Sequence, residues 1–84
     1  MRLQVSPRAQ AELRKLARQP KLYLQVKRAL NKIAEDPFCG APLHGELAGW
    51  RKIRVGNYRL IYEIRVEENS VVILRVEDRK DAYK

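Results

Sequence analysis

Leu3 and Val5 flank Gln4 in a short alternating segment, and this period of two predicts a first strand. Ser6-Pro7 then reads as an N-cap followed by proline at the first helical position, where its missing N–H costs nothing. Ala9, Leu13, Leu16 and Ala17 recur at helical spacing and predict a helix to about Arg18. Pro20 breaks that helix and opens a second, whose stripe is Leu22, Val26, Ala29, Leu30 and Ile33, ending at Asp36-Pro37. So short a break predicts an antiparallel helical hairpin. Phe38 to Gly49 carries Gly40, Pro42, Gly45 and Gly49 and reads as a connecting loop. Three strands follow: Trp50 to Val55, Tyr58 to Val66 and Val71 to Glu77, with a polar tail from Arg79 to Lys84. The order β-α-α-β-β-β is an α+β layout, a helical hairpin packed on one face of a small, mostly antiparallel sheet.

The strand registers sort the charges. Gly56-Asn57 forms a two-residue turn that pairs Val55 with Tyr58, Arg54 with Arg59, Ile53 with Leu60 and Lys52 with Ile61. Alternation sends Ile53, Val55, Tyr58, Leu60, Tyr62 and Ile64 toward the helices, and Lys52, Arg54 and Arg59 the other way. A core face of Val72, Leu74 and Val76 requires an odd-length connection around Glu67 to Ser70, pairing Val66 with Val72 and Ile64 with Leu74. That register sets Glu63 opposite Arg75 and, carried to its end, Arg79 opposite Arg59. Arg54, Arg59 and Arg79 are then expected side by side across three strands, with Lys52 one step away and Tyr83 close beyond. Like charges placed opposite one another destabilise a sheet, so such a cluster suits a multiply charged anion. Trp50, Tyr58 and Tyr62 read as core, His44 as an incidental loop residue, and Cys39 as packed in an apolar spot.

Composition narrows the partner. Eighty-four residues make one domain, 1–84, and 18 Lys and Arg against 10 Asp and Glu give a net charge of +8. Residues 1–36 hold nine basic side chains against Glu12, Glu35 and Asp36, so the helical side offers a second contact for a polyanion, including Lys27 and Arg28. No helix has an apolar face to spare from the core, which argues against a membrane surface as the partner. One cysteine and one histidine exclude a disulfide framework and a Cys/His zinc site. With neither an export signal nor a long apolar run, the chain reads as cytoplasmic, and no cofactor is expected.

The stretch Leu43-His44-Gly45-Glu46-Leu47-Ala48-Gly49-Trp50-Arg51-Lys52-Ile53-Arg54-Val55-Gly56-Asn57-Tyr58-Arg59-Leu60-Ile61-Tyr62 resembles the signature of the RelE/ParE toxin superfamily. The ending Asp78-Arg79-Lys80-Asp81-Ala82-Tyr83 resembles it as well, and the helical hairpin extends the likeness to essentially the whole chain. The resemblance implies a type II toxin neutralised by a RelB-type antitoxin. In its RelE-like branch it implies a ribosome-dependent mRNA endoribonuclease that uses the RNA 2′-OH as nucleophile without a metal. Lys52, Arg59, Arg79 and Tyr83 stand at matching positions, and Arg54 stands where the RelE pattern has Lys.

Arginine stays protonated and cannot act as a base, so Arg54 is expected to stabilise charge. Tyr83 would then orient or activate the 2′-OH, Arg59 would hold the scissile phosphate, and Arg79 or Lys52 would assist the leaving oxygen. Arg51, Lys80 and Lys84 are expected to add RNA contacts. Asp78 replaces a His found in many relatives and is expected to weaken the site's positive field. Two alternatives share the fold: a ParE-like inhibitor of DNA gyrase, and a catalytically decayed module that only binds its antitoxin.

Overall fold

Ser6 joins the first strand to the first helix through one side chain. Its hydroxyl accepts from the Ala9 amide at 3.1 Å as the N-cap and donates to the Leu74 carbonyl at 3.0 Å across the sheet. The computed structural model describes residues 1–78. In order these form β1 (Arg2–Val5), α1 (Pro7–Leu16), α2 (Pro20–Glu35), β2 (Ala41–Pro42), β3 (Trp50–Val55), β4 (Tyr58–Arg65) and β5 (Ser70–Asp78). Short 3-10 turns lie at Pro37–Cys39, Gly45–Leu47 and Val66–Glu68. The sheet order is β1-β5-β4-β3-β2, antiparallel except where β1 runs parallel to β5. Replacing Ser6 with alanine removes both the cap and the cross-link, and is expected to lower stability by about 1 to 2 kcal/mol in urea unfolding.

The helical stripes pack where their spacing predicts. Ala9 and Leu16 of α1 and Val26, Leu30 and Ile33 of α2 meet Val55, Leu60, Tyr62, Val71, Ile73 and Val76 of the sheet. Ala17, expected on the first stripe, is exposed because α1 ends at Leu16.

The expected loop after α2 contains a strand, β2. Ala41 and Pro42 pair with Lys52 and Arg51, a pairing too short to leave any periodicity in the sequence. Tyr62 anchors this segment from the core: its hydroxyl accepts from the Gly40 amide at 2.9 Å and donates to the Pro37 carbonyl at 2.7 Å. Burial is the main reason the Tyr62 hydroxyl titrates above its usual value of 10.0.

The β4–β5 connection corrects the expected register. Arg65 pairs with Ser70, so the connection has an even length, residues 66–69, with Asn69 in the left-handed region at φ 49°. An even connection reverses the inward face, and Val71 and Ile73 enter the core in place of Val72 and Leu74. Leu74 is then bulged out of the ladder: Ile61 pairs with Arg75 and Tyr62 with Ile73. The extra residue reverses the faces again, so Val76 points inward as expected. All four expected pairs change with it. Ile64 lies opposite Val71 rather than Leu74, and Val66 leaves the ladder for the turn instead of pairing with Val72. Glu63 lies opposite Val72 rather than Arg75, and Arg59 lies opposite Glu77 rather than Arg79.

Candidate active site

The β3–β4 hairpin has the register its turn dictates. Gly56 takes φ +58°, which a glycine adopts without strain, and Arg54 lies opposite Arg59 and Lys52 opposite Ile61. Because Ile53, Val55, Leu60 and Tyr62 face the helices, alternation puts Lys52, Arg54 and Arg59 together on the other face. None of the ion pairs among the described residues uses Lys52 or Arg54. These two cations therefore present uncompensated charge beside Arg59.

Arg59 is compensated. Its Nη2 donates to Glu77 Oε2 at 2.7 Å, while Arg75 Nη1 donates to Glu77 Oε1 at 3.3 Å. One carboxylate thus bridges two guanidinium groups. Burial pushes the Glu77 carboxyl up, but hydrogen bonds and charge from Arg59 and Arg75 outweigh it, and the net shift is downward. A depressed folded-state value means the bridge stabilises the protein fully above the ordinary carboxylate range and loses that contribution as pH falls through the folded value. The parent's stability advantage over Glu77→Gln is therefore expected to shrink between neutral pH and about pH 3, read as urea midpoints.

The same face continues into Trp50 and Glu63. The Trp50 indole donates to Glu63 at 3.0 Å, and Arg75 sits over the Trp50 ring at 5.7 Å. Arg65 donates to Glu63 at 2.7 Å, and this bond is the main reason the Glu63 carboxyl is lowered. Trp50, expected in the core, is instead held beside the cationic cluster, because it shares the alternation of Lys52 and Arg54.

The remaining expected residues divide. Arg51 projects to the opposite face, where it donates to the Gly40 carbonyl at 2.7 Å and covers the Phe38 ring at 5.1 Å. Lys27 and Arg28 are exposed on α2, far along the chain from the hairpin, with Lys27 over the Tyr23 ring at 5.4 Å. Asp78 pairs with Tyr58 and so shares the helix-facing side, which leaves Glu77 as the acid among the cations. Arg79, Lys80, Tyr83 and Lys84 lie outside the described residues. His44 is exposed in its loop, and Cys39 packs against the core. Sequence reasoning missed Glu77 and Arg75 as partners of the site: alternation with Val76 gives their face, but the register that sets Glu77 opposite Arg59 depends on the even connection and the bulge at Leu74. Among the described residues no group of three or more His, Cys, Asp or Glu side chains could hold a metal ion. Nor is any of their helices long and apolar enough to cross a membrane.

The family model of the ParE toxin of type II toxin–antitoxin systems, parDE, matches residues 3–83. This chain belongs to that family. It is a type II toxin of the RelE/ParE superfamily. Toxin RelG of Mycobacterium tuberculosis is 45% identical over 60 residues, which span 70% of this chain and 69% of that protein. The toxin–antitoxin complex RelBE2 of the same organism gives a TM-score of 0.81 at 36% identity, covering 93% of this chain and 96% of that one. The isolated E. coli RelE toxin gives 0.79 at 30% identity, covering 92% of this chain and 82% of that one. The toxin's two helices on a five-stranded mixed sheet match these structures.

Proposed function

We propose that this toxin is a ribosome-dependent mRNA endoribonuclease that halts translation in the cytoplasm. The observation that carries the reading is the convergence of Lys52, Arg54 and Arg59 on one sheet face, across a single hairpin. In-line attack by a 2′-OH needs charge stabilisation at the phosphate more than it needs a covalent intermediate. Arg59 holds the scissile phosphate, Arg54 stabilises charge developing on its oxygens, and Lys52 or Arg79 assists the leaving 5′ oxygen. Tyr83 orients or activates the 2′-OH. The exposed cations of the helices, Lys27 and Arg28 among them, contact ribosomal RNA phosphates without reading bases. The reaction takes no cofactor.

The partner in the cell is a RelB-type antitoxin. RelBE2 is a toxin–antitoxin complex, and an acidic segment that folds on binding complements a +8 domain. Induction of the toxin from a repressed promoter, followed by mapping of messenger 5′ ends, tests the reading. New ends inside translated codons that vanish when translation is blocked are expected. Growth arrest with intact messengers and induced DNA damage would move the assignment to gyrase inhibition. Unhindered growth with folded protein present would mean a decayed site.

A further inference from the structure

An RNA-binding face has no obvious use for an acid at its centre, yet Glu77 occupies that place. Its two oxygens are divided between Arg59 and Arg75. The contact is partly withdrawn from solvent, with the Glu77 side chain 16% exposed and that of Arg59 33%. A short, charge-assisted bond in such a setting outlasts the exposed pairs of the surface. It does not complete the guanidinium, however: Arg59 Nε is buried with no hydrogen-bond partner among the described residues. Arg54, opposite Arg59 and outside every ion pair among those residues, keeps the surroundings attractive to a second anion.

We propose that Glu77 is a specificity-determining residue, an internal counter-ion that occupies Arg59 so that loose single-stranded RNA binds weakly and only a phosphate held in fixed register displaces it. This inference rests on the RNA-binding reading of the same face. The arithmetic is that of a partly populated competent state. If Arg59 is released about a tenth of the time, any phosphate that needs it binds about tenfold more weakly. A phosphate presented by a larger assembly arrives at an effective concentration in the mM range, which offsets that factor. Free RNA in solution has no such help. Glu77 thereby favours messenger presented on a ribosome over RNA met by chance.

The test is binding of an uncleavable 2′-O-methyl octaribonucleotide by fluorescence anisotropy, without ribosomes, over a series of salt concentrations. Glu77→Gln is expected to bind about tenfold more tightly than the parent. Its log–log salt slope is expected to steepen by about 0.7, the release of counterion from one further phosphate. A residue with a purely structural role would move neither quantity in that direction. In the Arg59→Ala background the gain from Glu77→Gln is expected to vanish, which separates this contact from a general loss of negative charge. Should Glu77→Gln fail to fold, Glu77→Asp carries the test: its shorter arm loosens the bridge, and a gain of about two- to threefold is expected.

No gain in any folded Glu77 variant, or a gain that persists without Arg59, overturns the proposal. Messenger cleavage on ribosomes alongside an unchanged Glu77→Gln affinity refutes the role of Glu77 and leaves the nuclease standing. The expected gain with no cleavage anywhere supports Glu77 as the counter-ion and refutes the nuclease.

Discussion

Replacing Arg59 with alanine is expected to slow messenger cutting by about two to three orders of magnitude, the usual effect of removing one donor from a transition-state anion site. The fold should survive. Arg59 lies on the face turned away from the helices, and Glu77 retains its bond from Arg75 when Arg59 is gone. Arg54→Ala is expected to act in the same direction with a smaller loss, since Arg54 stabilises charge without gripping the phosphate. Cutting rates at saturating ribosomes, measured beside melting curves, check both variants. Rates near the parent's for folded Arg59→Ala would remove Arg59 from the chemistry.

The second large effect concerns the support beneath the site. An alanine Cβ at Gly40 would stand 2.5 Å from the Tyr62 hydroxyl and 2.6 Å from the Lys52 carbonyl. Neither neighbour has room to yield. Tyr62 is fully buried and bonded to both Gly40 and Pro37, and the Lys52 carbonyl belongs to the strand that carries the cations. Gly40→Ala is therefore expected to cost about 3 kcal/mol or more, a large share of the 5 to 15 kcal/mol that holds a small domain together. Urea unfolding measures the loss. Because the strain falls on β3 at Lys52, toxicity at growth temperature should drop with it. A stability within about 0.5 kcal/mol of the parent would contradict this packing.

The helices and the β3–β4 hairpin were legible because local signals specify them. Ser6-Pro7 and Pro20 mark the helix starts, and the Gly56-Asn57 turn leaves one register that buries Leu60 and Tyr62 together. The placement of Lys52, Arg54 and Arg59 followed from that register alone. The β4–β5 pairing was not legible, because two opposed parity changes, an even connection and a bulge at Leu74, leave almost the same alternation as a simple odd loop. Val76 faces the core in either case, so the pattern gave no warning that Glu77 rather than Arg79 lies opposite Arg59. Trp50 reads as core by residue type, whereas its alternation with Lys52 points it outward to Glu63. Arg51, expected to contact RNA, is one residue out of step with Lys52 and donates to the Gly40 carbonyl on the opposite face.

The central claim, that this toxin cuts messenger on the ribosome, is tested most directly with purified ribosomes programmed with a defined messenger and halted at a known codon. Adding the purified toxin should produce a single new 5′ end within the codon exposed in the decoding site. The cut should be absent without ribosomes and greatly reduced with Arg59→Ala. An intact messenger under these conditions, from a preparation that arrests growth when produced in cells, would contradict the account.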